Sequence, residues 1–204
     1  LTRVALELGV KSPVLLWEDA DLDLAARRIA WGKFLNAGQT CVAPDHVWVP
    51  ARLRDPFVDK LGTYIRQFYG PRPLESPDLP NIINQKHFAR LRGLMASGCT
   101  ALGGGWDQEA GRIEPTVLVD VSENEPVMGE EIFGPILPVL TYEDWDGLLS
   151  HLIQKPRPLA LYVFTRSRAR AEQAIRALPF GGGCWNDTVV HLTNSRLPFG
   201  GEGE

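Results

Sequence analysis

The chain has 204 residues, of which 44% are hydrophobic and 23% are charged, and its formal net charge is -4 at pH 7. A chain of this length buries an adequate core as one large domain or two small ones. The slight acidic excess, 25 acidic against 21 basic residues, gives no basic footprint for nucleic acid, and no apolar run approaches the roughly 18 residues of a membrane-spanning helix.

Strand and helix patterns alternate along the chain. In chain order we predict strands at residues 4–8 and 13–17, a helix over 22–34, a Gly-containing corner at 36–44, a strand at 46–49, helices over 55–68 and 84–95, strands at 100–102 and 115–121, an irregular segment at 124–138, a helix over 145–153, a strand at 159–165, a helix over 167–178 and a last strand within 180–187.

This alternation is typical of βαβ units. We therefore predict an α/β fold with a mainly parallel sheet and flanking helices. Such sheets bind ligands at the carboxyl ends of their strands, so we expect the site at that edge. The last helix should turn Ala171, Ala174, Ile175 and Leu178 towards the core. Gly103 to Gly105 lack the Lys-Ser/Thr of a phosphate loop and predict a turn.

The three cysteines, Cys41, Cys99 and Cys184, are widely spaced. An odd number at such spacings forms neither a disulfide framework nor a metal-binding pattern. We therefore expect a reducing compartment, the cytoplasm, and no metal site. The chain starts at Leu1 without Met, shows no signal-peptide pattern and stops in a Gly-rich stretch, so we expect both ends to be cuts in a longer protein.

Cys41 stands on the predicted corner, where neighbouring backbone N–H groups favour a reactive thiolate. A lone Cys is also commonly a small buried hydrophobe, so the thiol alone leaves both roles open. Glu7 is a single carboxylate within an apolar strand. It either points to solvent or is partly buried with a raised pKa, as a general base would be. The acidic segment around Glu131 and Phe133 is either functional or a solvated turn.

Five segments, in this order along the chain, together resemble the aldehyde dehydrogenase family: residues 6–9, 19–22, 38–41, 130–135 and 198–201. Residues 40–45 are most similar to the branch of the dimeric class 3 and fatty aldehyde enzymes. The resemblance implies the catalytic-domain fold of that family, NAD or NADP as cofactor, an aldehyde as substrate and a homodimer in the parent protein.

The resemblance also implies site residues, by position. Cys41 matches the nucleophile that attacks the aldehyde carbon to give a thiohemiacetal and, after hydride transfer, a thioester. Glu7 matches the base that activates water for hydrolysis. Glu131 matches the residue that binds the nicotinamide ribose hydroxyls, and Phe133 the aromatic near the nicotinamide. Asn186 and the 198–201 segment are expected to support the site or line the substrate path.

Two departures from the family pattern affect these expectations. Val10 stands where the family usually has a second Gly after the Glu-Leu pair, which bears on the placement of Glu7. The sequence also contains neither the amino-terminal half that holds most of the dinucleotide-binding domain nor the carboxyl-terminal oligomerisation segment. We therefore expect residues 1–204 to be the catalytic domain, inactive as an isolated fragment.

Two alternatives stay open. One is an acylating relative that passes the thioester to coenzyme A, although Glu7 argues against it because activated water would be a side reaction. The other is a truncated, non-catalytic module with a structural or partner-binding role, since removing half of a two-domain protein exposes apolar surface. The identity of the aldehyde and the choice between NAD and NADP are left open by the sequence.

Overall fold

The computed structural model describes residues 8–200. Glu7 and the predicted strand at residues 4–8 therefore lie outside the described residues, apart from Leu8. Within the described range, nine strands form a seven-stranded sheet and a separate two-stranded hairpin. No helix of this range combines the length and the apolar character needed to cross a membrane.

The strands are β1 Pro13–Leu16, β2 His46–Pro50, β3 Cys99–Leu102, β4 Trp106–Asp107, β5 Arg112–Ile113, β6 Thr116–Val119, β7 Ile136–Tyr142, β8 Ala160–Phe164 and β9 Gly182–Trp185. The large sheet has the order β3-β6-β7-β2-β1-β8-β9, and the hairpin joins β4 to β5. Every pair in the large sheet is parallel except β3 with β6. The prediction of a mainly parallel sheet is confirmed.

The helices are α1 Leu22–Phe34, α2 Arg54–Tyr69, α3 Gln85–Leu94, α4 Pro126–Gly129, α5 Trp145–Leu152 and α6 Arg168–Ala177, with short 3-10 turns at Leu35–Gly38, Ala51–Leu53, Pro73–Glu75 and Val190–Thr193. An acidic side chain caps α1: Asp21 accepts hydrogen bonds from the backbone N–H groups of Asp23 and Leu24, both at 3.1 Å. Such a cap satisfies donors that the first helical turn leaves free.

The central strands are buried on both faces, which explains their continuous apolar sequences. Val14 of β1 lies in the apolar cluster that includes residues of α1 and α2. Its neighbour Leu15 lies in a second cluster with residues of α5 and α6. Because side chains alternate across a strand, one layer of helices covers each face of the sheet.

Strand β7 corrects the prediction of an irregular segment through residue 138. A proline has no N–H for the ladder, so Pro138 is unfavourable within a central strand. In the structure, pairing with β6 ends at Pro138, opposite Leu118. Pairing with β2 begins one residue later, at Val139. The proline is thus tolerated where the strand changes partners.

Helix α6 corrects a second prediction. Ala171 and Ala174 are buried, and Leu178 just beyond the helix is buried as well. Ile175, predicted to face inwards, is 44% exposed. The buried stripe follows spacings of three and four residues and is narrow, so Ile175 falls on its flank.

Candidate active site

The candidate site residues lie at the amino edge of the sheet. Cys41 precedes β2, and Glu131 precedes β7. These strands are parallel neighbours, so the segments that enter them meet at the same edge. The candidate residues thus lie at the edge opposite the carboxyl edge at which the sequence predicts a site, because the loops that carry them lead into the strands instead of leaving them.

A run of left-handed residues makes the corner at the end of α1. Asn36, Ala37 and Gly38 have φ values of 53°, 51° and 71°. A side chain at Gly38 would place its Cβ only 2.2 Å from the carbonyl oxygen of Gly134. Glycine therefore allows the corner to touch the 130–135 loop backbone to backbone, which brings together the segments of the predicted nucleophile and the predicted cofactor ligand.

Cys41 itself is partly buried within a tight turn. The N–H of Ala43 donates to the carbonyl oxygen of Thr40 at 3.0 Å and closes the turn around the thiol. Gln39 ties the corner to the chain ahead of α3: its Oε1 accepts from the N–H of Ile83 at 2.9 Å, and its Nε2 donates to the carbonyl of Asn81 at 3.1 Å. The thiol is thus held on a fixed backbone.

Glu131 is partly buried beside the segment that follows Glu7 in the sequence. A Cβ at Gly9 would lie 3.4 Å from Glu131 Oε2. Burial, together with the negative charge of Asp45, raises the pKa of the Glu131 carboxyl to about 7 against the opposing positive charges of Lys33, Lys11 and Arg90. The carboxyl is therefore poised to gain or lose its proton near neutrality.

Phe133 stands on the same loop with an uncommon backbone. Its φ is 46°, a left-handed value that is costly for a bulky residue, and its side chain is 37% exposed between the buried Ile132 and Gly134. Strained positions of this kind occur where the surrounding structure holds a functional loop in place.

Three charged side chains hold the Glu131 loop by its backbone. Asp45 Oδ2 accepts from the N–H of Ile132 at 2.9 Å. Arg90 donates to the carbonyl oxygens of Glu131 at 3.2 Å and Ile132 at 2.6 Å. Lys11 pairs with Asp45 and donates to two further carbonyls ahead of Glu131. The loop position is therefore set by groups outside the loop.

The aldehyde dehydrogenase family model matches residues 1–204 of the chain. The chain belongs to the aldehyde dehydrogenase family.

Among curated relatives, the rat dimeric NADP-preferring aldehyde dehydrogenase is 46% identical over 203 residues, covering 100% of this chain and 45% of the relative. Mouse aldehyde dehydrogenase family 3 member B1 is also 46% identical over 203 residues, covering 100% of this chain and 43% of that protein. The predicted similarity to the class 3 branch is confirmed. The chain spans less than half the length of these relatives.

A solved structure of Staphylococcus aureus AldH in a substrate-bound state superposes with a TM-score of 0.92 at 44% identity, covering 94% of this chain and 42% of that one. The NADP complex of an NADP-dependent glyceraldehyde-3-phosphate dehydrogenase from Bacillus halodurans has a TM-score of 0.81 at 29% identity, covering 90% and 39% of the two chains. These matches confirm the fold of an aldehyde dehydrogenase catalytic domain.

Two buried charged residues of this aldehyde dehydrogenase chain, Lys33 and Asp45, were not predicted as site residues from the sequence. Lys33 is completely buried, and burial lowers the pKa of its ammonium group to about 8 although Asp45 opposes the shift. Burial alone would raise the pKa of Asp45, but the neighbouring His46 ring together with Lys11 and Lys33 outweighs it and holds the pKa at about 2. A lysine within the apolar stripe of α1 was the available signal, because an unpaired charge is costly to bury.

Asn186 lies away from the nucleophile. It follows the carboxyl end of β9, where its Oδ1 accepts from the N–H of Thr165 at 3.0 Å and its Nδ2 donates to the carbonyl of Thr165 at 2.9 Å. These bonds join the ends of β8 and β9 at the edge opposite Cys41. In the described structure Asn186 thus links two strand ends, and its predicted role of supporting or lining the site stays a prediction.

The described part of the 198–201 segment returns to the amino edge. A Cβ at Gly200 would lie 2.5 Å from the carbonyl carbon of Gly181, which stands just before β9. This segment therefore shares the edge that carries Cys41.

The other two thiols have different surroundings. Cys99 is exposed on the edge strand β3. Cys184 on β9 is partly buried, with its Sγ 3.6 Å from His191 Nδ1, and burial raises the pKa of its thiol. None of the three cysteines is in a disulfide.

Proposed function

We propose that this chain is the catalytic domain of an NAD(P)-dependent aldehyde dehydrogenase that oxidises an aldehyde to a carboxylic acid, and that its cofactor domain lies outside these 204 residues. The observation that carries the proposal is the direct contact between the Cys41 corner and the Glu131 loop at Gly38 and Gly134. This contact fixes the position of the segment with the proposed nucleophile, Cys41, relative to the segment with the proposed cofactor ligand, Glu131.

Cys41 acts as the nucleophile. Its thiolate forms a C–S bond to the aldehyde carbon, and the aldehyde oxygen gains the negative charge. Backbone N–H groups of a tight turn are suited to stabilise such an oxyanion. Loss of hydride from that carbon leaves a thioester on Cys41, and water activated by Glu7 then cleaves the C–S bond, which releases the carboxylic acid and restores the thiol.

Glu131 fits a cofactor with ribose hydroxyls. A partly buried carboxylate makes a strong charge-assisted acceptor when it is ionised, and its pKa of about 7 keeps a large ionised fraction near neutrality. Phe133, on the same loop, offers an aromatic face for a nicotinamide ring. When bound, NAD or NADP supplies the hydride acceptor for the oxidation.

Removing the thiol tests the proposal. In the full-length protein, Cys41→Ala should abolish aldehyde-dependent reduction of NAD or NADP, measured by absorbance of the reduced cofactor. Cys99→Ala removes an exposed thiol on the edge strand and should leave the rate unchanged. A Cys41→Ala enzyme that keeps the rate of the parent would overturn the proposal.

We also propose a homodimer and a cytoplasmic location for the full-length protein. The name of the rat relative, which calls that enzyme dimeric, supports the dimer. Three thiols without a disulfide support a reducing compartment. Light scattering on the purified protein tests the dimer: a monomer at micromolar concentration would contradict it.

A further inference from the structure

One buried tyrosine reaches the turn that carries Cys41 from the opposite side of the core. Tyr162 stands in the middle of β8 and has no exposed surface. Its hydroxyl donates to the carbonyl oxygen of Val42 at 2.6 Å. Val42 follows Cys41 directly and is itself completely buried. The turn is therefore held from the sheet as well as by its own hydrogen bond.

The two hydrogen bonds fasten the turn on both sides of the thiol. The bond from Ala43 to Thr40 closes the turn, and the bond from Tyr162 fixes the carbonyl of its third residue. In a four-residue turn the two central residues set the direction of the chain, and here they are Cys41 and Val42. Fixing one peptide group of this pair limits the orientations of the other.

Tyr162 acts as a neutral donor in this position. A carbonyl oxygen only accepts, so the hydroxyl must keep its proton, and burial strongly raises the pKa of Tyr162. The hydroxyl also has a hydrogen bond with the backbone of Val189, and the thiols of Cys184 and Cys41 act on it electrostatically. The ring of His191 lies beside the Tyr162 ring, with 6.0 Å between the two centroids. Burial lowers the pKa of His191, which disfavours the charged form of this ring.

We infer that Tyr162 is a positioning residue for the nucleophile: through the carbonyl of Val42 it holds the Cys41 turn in the geometry in which its backbone N–H groups stabilise the thiolate. The inference rests on the proposed role of Cys41. Without the hydroxyl, the turn samples other geometries and the thiolate loses part of this stabilisation.

Tyr142 provides a matched control. It is a second buried tyrosine whose hydroxyl donates to a backbone carbonyl, that of Leu16, at 2.7 Å. Tyr142 packs in the cluster of α5 and α6, on the face of the sheet opposite Tyr162. Tyr142→Phe therefore removes the same kind of bond at a place without contact to the Cys41 turn.

The experiment measures the alkylation rate of each cysteine by iodoacetamide as a function of pH, with peptide mass spectrometry to separate the three thiols. The exposed Cys99 serves as the internal reference. For Tyr162→Phe, we expect the pH midpoint for Cys41 to rise by about half a unit to one unit, which makes alkylation at pH 7 about three to ten times slower. For Tyr142→Phe, the Cys41 profile should stay that of the parent.

Stability is measured alongside, since each variant leaves a buried carbonyl without its donor. Both should lower Tm by about 2–4 °C. An unchanged or faster Cys41 reaction in Tyr162→Phe overturns the inference, and so does an equal slowing in Tyr142→Phe, which would indicate general loosening. If Cys41 in the parent reacts no faster than Cys99, the proposed function itself fails, and the inference fails with it.

Discussion

The two edges of the sheet use polar groups in different ways. At the carboxyl edge, Asp19 Oδ1 accepts from the hydroxyl of Thr165 at 2.6 Å and from the N–H of Arg166 at 3.0 Å, and Asn186 bonds to the same strand end. At the amino edge, Lys33 and Asp45 are buried as charges, and the pKa values of the carboxyl and ammonium groups are displaced. At the carboxyl edge, hydrogen bonds hold the strand ends together. At the amino edge, buried side chains of opposite charge partly compensate one another.

This difference suggests that the carboxyl edge serves stability and the amino edge serves function. Local hydrogen bonds satisfy the groups at strand ends at little cost. Buried charges are costly unless they are paired, and a fold retains them where they serve a site. The comparison predicts that equivalent substitutions have unequal effects at the two edges.

The largest effect is expected from neutralising a buried carboxylate. Asp45→Asn leaves Lys11 and Lys33 without their buried counter-charge and should lower the free energy of unfolding by about 3–5 kcal/mol. Asp19→Asn, the matched change at the carboxyl edge, should cost about 1 kcal/mol because it weakens two hydrogen bonds but leaves no buried cation without its counter-charge. Urea unfolding of both variants measures the difference, and equal losses would remove the proposed distinction between the edges.

The next largest loss of stability is expected from a substitution at the contact between Gly38 and Gly134. Gly38→Ala places a Cβ against the carbonyl of Gly134 at a φ of 71° and should cost about 2–4 kcal/mol. Gly111 has a similar φ of 66°, but its nearest neighbour would be 3.9 Å from an added Cβ. Gly111→Ala should therefore cost only the backbone strain, about 1–2 kcal/mol.

Thermal and urea unfolding of these two glycine variants separate strain from contact. A Gly38→Ala protein as stable as Gly111→Ala would show that the corner and the 130–135 loop do not press on each other.

The smallest effect is the contribution of Glu131 to the pH dependence of the free energy of unfolding. Its pKa is raised from 4.5 to about 7 in the folded chain, so the folded state binds more protons between these values and stability falls as pH rises through this window. After discounting for solvent screening, Glu131→Gln should increase stability at pH 8 by about 1–2 kcal/mol and change it little at pH 4.

Urea unfolding across this pH range provides the measurement. The same slope in Glu131→Gln and in the parent would assign the titration to another group.

The periodicity of apolar residues predicted most helices and strands of this chain, but it missed strand β7. The alternation of strand and helix patterns was sufficient to predict the mainly parallel sheet. Strand β7 was missed because the cost of Pro138 depends on which neighbour pairs with it, and that is a property of the sheet.

The site shows the same limit. The family resemblance singled out Cys41 and Glu131, and the structure places their segments in contact. Asp45 could not be predicted as the support of the Glu131 loop, because its partners are 34 residues before it at Lys11 and 87 residues after it at Ile132. The edge at which Asn186 lies could not be predicted either, because its hydrogen-bond partner Thr165 is 21 residues away in the sequence.

The contact of Gly38 with the carbonyl of Gly134 has a mechanical consequence. Most contacts between loops pass through side chains, whose rotamers can absorb small displacements. Two backbones in direct contact cannot absorb displacements in this way, so a movement of one segment is transmitted to the other. A ligand that shifts the 130–135 loop must also shift the corner, and occupancy at Glu131 would be sensed at Cys41 as a change in thiol reactivity.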